Sequence, residues 1–335
     1  MKALISLARD KQYETFFTAE NEQLASSLGD MLWNAAPQPM TKAEVIDRIA
    51  DCDCYVTLWG SPRLDADILA HAPRLRLLTH LAGTVVPFVS DAMWDRGIRV
   101  ISGNSYFAES VAEGAVGYML AALRDIPFYS DRLKREHVWK RPEDFPRGLL
   151  GRTVGLVSYG EIARHLVRLL APFRVRIKVY DVAPLPADDV AAYGLQAASL
   201  EEIFSTCDVV SLHTPLYDAT YHLIGRDLLR LLRPGSLFLN TSRGAVVDQS
   251  ALEQELATGR FRAVLDVYEQ EPPADDCPLY AMDNVLMMPH MGGPTVDLRS
   301  RITHDLLLES AAYLDHNEPL RHEITRARAE HMSSH

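Results

Sequence analysis

Apolar positions along the chain fall into short runs separated by polar, helix-length stretches. Residues 3–7 (ALISL) form one such run. The polar stretch 20–29 can be helical, and Thr41 opens a segment in which Val45, Ile46 and Ile49 recur at helical spacing. Residues 54–59 (CYVTLW) read as a strand closed by Gly60-Ser61-Pro62; further strands follow at 75–81 and 98–101, with a helix around 89–96 between them. A longer helix over 106–123 has Val111, Ala115, Met119 and Ala122 at spacings of four, four and three. A polar, proline-bearing stretch, 125–148, comes next. The alternation then restarts with sharper edges. Strands are predicted at 153–157 (TVGLV), 175–179, 208–212, 236–240, 263–266 and 285–288, with a helix over 161–171. A final helix, 297–314, carries Ile302, Leu306, Ala312 and Tyr313 as parts of its apolar face, and the last dozen residues read as frayed and solvated.

Strand, helix and strand in repetition predict mainly parallel sheets covered on both faces, an α/β fold. At roughly 150 residues per domain, 335 residues imply two domains. Hydrophobic residues at 47% and charged residues at 24% are globular proportions, which excludes a disordered or collagenous chain. With 34 basic against 45 acidic side chains the formal charge is −11, a poor basis for gripping nucleic acid or an anionic membrane. No apolar run approaches the roughly 18 residues of a spanning helix. The N-terminal apolar run is too short for a secretory signal, so a cytoplasmic location is expected. Cys52, Cys54, Cys207 and Cys277 are too scattered for a disulfide scaffold. Cys52-x-Cys54 lacks a second ligand pair, so no metal is expected.

Ser158-Tyr159-Gly160-Glu161-Ile162-Ala163 lies between a predicted strand and helix, where a G-x-G-x-x-G loop binds a pyrophosphate. Only the second glycine, the one allowing close backbone approach to phosphate, is kept, as Gly160. Ser158 must make the tight turn with a Cβ, and Glu161 suits the helix dipole while repelling a phosphate placed there. An ordinary strand–loop–helix fits this segment alone. Asp181, 21 residues after Gly160, follows the alternating strand; a carboxylate there can accept from both ribose hydroxyls of NAD and repel the 2′-phosphate of NADP. A strand-ending turn aspartate is the plainer reading of that residue.

The second half carries more. Asp181, His213-Thr214-Pro215, Thr241-Ser242-Arg243, Asp266 with Glu271, and His290 each follow a predicted strand. In an open parallel sheet, ligands bind outside the carboxyl ends of the strands. One rim therefore collects ionisable and polar groups from successive strands.

With LFLNTSRGAVVD (237–248), AVLDVYEQEPP (263–273) and VLMMPHMGG (285–293) in this order and context, the chain resembles the D-isomer-specific 2-hydroxyacid dehydrogenases. RGIRVIS (96–102), SVAEGAVGYMLAALR (110–124) and VVSLHTPL (209–216) agree, so the resemblance covers nearly the whole chain. It implies a smaller, flavodoxin-like substrate domain made from 1–103 and 296–335. Inserted into it is a Rossmann-type, doubly wound NAD-binding domain over 104–295, and a homodimer is implied as well. The implied activity is hydride transfer between NAD(H) and a small D-2-hydroxy acid or its 2-keto acid.

The family's catalytic trio falls on Arg243, Glu271 and His290. Arg can hold the substrate carboxylate and ketone with its planar fork. His290 can give a proton to the developing alkoxide or take it back, with Glu271 as partner of the charged imidazole. Cofactor contacts are implied at Tyr159, Gly160, Glu161, Ile162, Asp181, His213, Thr214, Pro215, Thr241, Ser242, Asp266 and Gly292. Of these, Asp266 would orient the nicotinamide carboxamide, and His213 reads as a satisfied histidine near the cofactor. Substrate contacts are implied at Ala82, Gly83, Thr84 and Arg243, the first three through backbone amides holding the carboxylate.

The chain departs from the family at Ser158, Glu161 and Ala163. It also departs in the loop 81–87 (LAGTVVP), which lacks the usual aspartate after its glycine and is more apolar through Val85 and Val86. That loop and the absence of a nearby basic cluster speak against a phosphorylated substrate. Glu271 stands where formate dehydrogenases place glutamine, which disfavours formate. Trp139 reads equally as a dimer-arm residue or as surface packing. The rival to an enzyme is an NADH-sensing, dimeric binding protein of the corepressor type, which shares the fold and trio.

Overall fold

A computed structural model of the chain describes residues 1–333. The chain forms two compact units, Met1–Phe107 with the segment from Pro294 onward, and Ala108–Gly293. The expected junctions are 103/104 and 295/296.

The first unit holds five parallel strands: β1 (Lys2–Ile5), β2 (Asp30–Trp33), β3 (Cys54–Thr57), β4 (Leu77–His80) and β5 (Arg99–Ser102). Their order, β2-β1-β3-β4-β5, is the flavodoxin-like one. Every residue of β3 and β4 is buried, as expected of central parallel strands covered on both faces. Thr41 caps the helix Lys42–Arg48 in a capping box with Glu44, so the polar residue opening that segment sets the helix start. Both ends of the chain build this unit. Ile302, Leu306 and Leu307 of the helix Val296–His316 share one apolar cluster with Ala3, Ile5, Val56 and Leu77.

The second unit holds seven parallel strands: β6 (Thr153–Val157), β7 (Arg176–Tyr180), β8 (Gln196–Ala197), β9 (Val209–Leu212), β10 (Leu237–Asn240), β11 (Arg262–Leu265) and β12 (Val285–Met287). The order β8-β7-β6-β9-β10-β11-β12 is the dinucleotide-fold order with one strand added. The order reverses between β6 and β9, where a ligand crevice is expected. The helix Glu161–Leu170 buries Ala163, Leu166, Val167 and Leu170 against this sheet.

Two elements lie where no element was expected, and one expectation needs correction. The stretch 125–148 contains a helix, Ile126–Glu136, entered by Asp125 in the left-handed region and by Pro127 in its first turn, where a proline costs no hydrogen bond. Residues 30–33 form a strand, at the edge of the first sheet. The last dozen residues are not frayed over their described part. The Ile324 amide donates to the Val100 carbonyl, Thr325 caps the helix Arg326–Ala329, and Ala329 and Met332 pack on a second apolar cluster of this unit, with Leu4, Leu78 and Val100. Ile324, 1% exposed, anchors the segment.

Among the described residues no helix is long and apolar enough to cross a membrane, and no group of three His, Cys, Asp or Glu side chains could hold a metal ion. All four cysteines are free and buried.

Candidate active site

The carboxyl-end rim of the second sheet begins at the turn after β6. Ser158 lies there at φ +75°, a left-handed conformation costing a non-glycine residue about 1–2 kcal/mol. Its amide donates to the Tyr180 carbonyl at 2.8 Å, and its Oγ lies 3.0 Å from Thr214 Oγ1. The turn is thus made by local hydrogen bonds where a glycine would make it freely. A Cβ added to Gly160, which caps the following helix, would meet nothing within 4 Å. That open face, with helix amides behind it, is the space a pyrophosphate needs. Glu161 and Ile162 form the first helical turn and are half-buried. Asp181, after β7, accepts from the Tyr159 amide at 2.6 Å and the Ala183 amide at 2.8 Å. Its carboxylate therefore ties the turn after β6 to the turn after β7, and each oxygen keeps a lone pair.

At the ends of β9 and β10, neighbouring strands, two buried polar atoms have no hydrogen-bond partner among the described residues. One is His213 Nδ1, which corrects the expectation of a satisfied histidine: Nε2 is 3.0 Å from Ser211 Oγ, but Nδ1 is unsatisfied. Burial pushes the His213 pKa down to about 4, so the imidazole is neutral. The other is Thr241 Oγ1. Buried polar groups are almost always paired, and two adjacent exceptions on this rim fit a polar ligand such as NAD. Thr214 Oγ1 donates to the Val157 carbonyl, and the Pro215 carbonyl accepts from Thr220 Oγ1, which fixes the turn after β9.

Arg243 stands at the end of the loop after β10. Asn240 Oδ1 accepts from the Ser242 amide (3.0 Å) and Oγ (2.8 Å), and Asn240 Nδ2 donates to the Arg243 carbonyl at 3.1 Å. The Arg243 guanidinium donates to the Ser242 carbonyl at 2.7 Å. Burial lowers its pKa from the usual range, and the Glu271 charge opposes this. Gly244 explains why the two come near each other. A Cβ there would lie 1.9 Å from the Tyr268 carbonyl carbon, so the Arg243 loop rests directly on the backbone leading to Glu271.

Glu271 Oε1 accepts from the Tyr268 amide at 3.0 Å, which aims Oε2 at His290 Nδ1, 2.7 Å away. His290 has φ +53°, and its side chain is 48% exposed. Asp266, 1% exposed, holds the His290 loop. Its carbonyl accepts from the His290 amide at 2.9 Å, and Oδ1 and Oδ2 accept from the Met291 and Gly292 amides at 2.8 Å each. A Cβ on Gly292 would be 2.6 Å from Asp266 Oδ2, which reserves that position for glycine. The arrangement joins a carboxylate-oriented imidazole to a nearby guanidinium, a set suited to moving a proton at a bound carbonyl.

In the first unit, Ala82, Gly83 and Thr84 follow β4. None of their amides donates to another group among the described residues, while Thr84 Oγ1 donates to the Ser333 carbonyl at 2.7 Å. Three unspent amides in one loop are donors that an anion can take. Sequence reasoning passed over Asn240 and Gly244, although both lie inside the LFLNTSRG segment; the signal was an amide side chain and a glycine flanking the arginine.

The sequence pattern of the D-isomer specific 2-hydroxyacid dehydrogenase NAD binding domain matches residues 116–292. A glyoxylate reductase of Korarchaeum cryptofilum is 36% identical over 277 residues, 81% of this chain and 82% of that protein. A D-3-phosphoglycerate dehydrogenase of Methanocaldococcus jannaschii is 33% identical over 258 residues. That match takes in 76% of this chain but only 48% of the relative, so the chain spans about half its length. The crystal structure of a phosphoglycerate oxidoreductase from Rhizobium etli has a TM-score of 0.80 at 25% identity and covers 97% of this chain and 99% of its own.

Proposed function

This chain belongs to the D-isomer specific 2-hydroxyacid dehydrogenase family, and on that premise we propose that it interconverts a small 2-keto acid and its D-2-hydroxy acid, with His290 as the acid and base. The observation that carries this is the 2.7 Å contact of His290 Nδ1 with Glu271 Oε2, beside Arg243 and on the rim of an NAD-binding sheet. Bound NADH supplies the hydride. Arg243 pairs with the carboxylate and ketone oxygens, and the amides of Ala82, Gly83 and Thr84 bind the carboxylate. His290 Nε2–H gives its proton to the carbonyl oxygen during reduction and takes it back during oxidation. Glu271 keeps Nδ1 protonated, so that Nε2 is always the exchanging nitrogen.

Tyr159, Gly160, Glu161 and Ile162 would line the pyrophosphate, and Asp181 would hold the ribose and select NAD over NADP. His213, Thr214, Pro215, Thr241, Ser242, Asp266 and Gly292 would flank the nicotinamide end. The reductase and dehydrogenase names of the relatives favour the enzyme over an NADH-sensing binding protein. A homodimer is supported by the exposed Ile126, Phe128, Trp139 and Phe145 around the helix Ile126–Glu136, and a reducing, cytoplasmic location by four free cysteines.

His290→Ala should lower kcat for 2-keto acid reduction by about 10²- to 10⁴-fold while the Kd for NADH stays within about twofold. An unchanged kcat would remove His290 from the chemistry.

A further inference from the structure

The loop that carries the three unspent amides faces an aromatic wall. A Cβ on Gly83 would lie 3.5 Å from Phe107 Cδ1 and 3.9 Å from Asn104 Oδ1. Phe107 meets Trp59 edge to face at 6.1 Å between ring centroids, and Trp59 meets Phe16 in the same way at 5.9 Å. Trp59 follows β3 and Gly83 follows β4, which are paired in parallel, so both sit at the same end of the first sheet. Two edge-to-face contacts fix the Trp59 indole, yet the residue remains 42% exposed. A large apolar face is thus held rigid and left open beside a carboxylate cradle.

The geometry of a 2-keto acid decides what belongs there. Its side chain leaves C2, one bond from the carboxylate carbon. An acid anchored on the amides of Ala82–Thr84 therefore has its side chain within contact distance of whatever flanks Gly83. Glyoxylate has only a hydrogen at that place and cannot use the wall. A phosphorylated side chain would meet ring surfaces and the Asn104 amide. The cation of this wall, Arg299, lies over the Phe16 ring at 5.6 Å and donates to the Pro294 carbonyl and Thr15 Oγ1. Val85, in the same loop, is fully buried and adds no polar group.

We propose that Phe107 and Trp59 form the side-chain subsite, and that the preferred substrate is a 2-keto acid with an aromatic or bulky branched side chain. This rests on the reading that the amides of Ala82–Thr84 hold the substrate carboxylate.

The test is kcat/KM with NADH for phenylpyruvate, 4-methyl-2-oxopentanoate, hydroxypyruvate and glyoxylate. It is made on the wild-type protein, Trp59→Leu and Trp59→Ala, each checked for folding by NADH titration. One methylene in an apolar pocket is worth about 10- to 200-fold. The first two acids should therefore exceed glyoxylate by about tenfold or more, and the phenylpyruvate-to-glyoxylate ratio should fall by about tenfold in Trp59→Ala and less in Trp59→Leu. A wild-type preference for glyoxylate or hydroxypyruvate would overturn the subsite while leaving the reductase reading intact. So would a ratio unmoved by both variants. Failure to turn over any of the four would overturn the reductase reading itself.

Discussion

Lowering the pH should destabilise the second unit through His213, and the amount can be worked out. His213 is 7% exposed, and its pKa falls from 6.5 to about 4 on burial. Below pH 6.5 the unfolded chain binds a proton at this residue that the folded chain refuses. The contribution is therefore complete above the unfolded pKa and is lost as pH falls toward the folded one. At about 1.36 kcal/mol per pK unit, a drop from pH 7.5 to 5 removes about 2 kcal/mol, a large share of a typical folding free energy. The assay is urea unfolding by far-UV circular dichroism at several pH values in that range, for the wild type and for His213→Gln. Gln can keep the contact to Ser211 but does not titrate. Other groups protonate alike in both proteins, including His80 in the first unit, whose pKa burial pushes down to about 3. Their effect cancels in the difference. That difference should change by about 2 kcal/mol across the range. A flat difference, within about 0.5 kcal/mol, would refute the claim that His213 is buried as a neutral imidazole.

Two substitutions probe the loops. Gly244→Ala puts a Cβ 1.9 Å from the Tyr268 carbonyl carbon, a backbone clash that no rotamer relieves. It should cost about 1–3 kcal/mol or more and lower kcat by parting Arg243 from Glu271; an unchanged melting temperature would contradict the close approach. Asp181→Ala should narrow the ratio of kcat/KM with NADH to that with NADPH by about tenfold or more, and a constant ratio would leave Asp181 as a clamp on the Tyr159 and Ala183 amides alone.

The parallel strands were legible because residues such as 153–157 and 209–212 are continuous apolar runs, which is what burial on both faces demands. The site residues were legible because each follows a strand, and a parallel sheet sends all such residues to one rim. The helix Ile126–Glu136 was not. Ile126, Tyr129 and Leu133 fall at helical spacing, but they are sparse among charged residues, and Pro127 reads as a breaker unless the helix start is already known. The strand Asp30–Trp33 escaped because a four-residue edge strand, partly exposed, has no alternation long enough to read. Nor could spacing reveal that Thr241 and His213 keep unsatisfied atoms, since that depends on what fails to pack against them. The wall of Trp59 and Phe107 joins residues 48 positions apart through neighbouring strands and a helix, and only the fold brings them together.

The site's precision rests on residues with no part in the chemistry. Arg243 is aimed by Asn240, Glu271 by the Tyr268 amide, and His290 by Asp266, in each case through backbone hydrogen bonds. Asp266 illustrates the consequence. Both its oxygens already accept an amide from the His290 loop, so a nicotinamide carboxamide donating to Asp266 would share a carboxylate with the support of His290. Cofactor seating and histidine placement then become one event, because the carboxylate cannot turn toward one without loosening its hold on the other. A buried acid satisfied on both oxygens is rigid, and rigidity at this point supports the 2.7 Å contact between Glu271 and His290. Ser158 is the counterexample on the same rim. It holds a strained φ of +75° that a glycine would adopt freely, and its hydroxyl is placed on Thr214, which ties the turn after β6 to the turn after β9 across the switch point. The serine thus exchanges conformational ease for a hydroxyl that hydrogen-bonds across the two loops flanking the dinucleotide crevice.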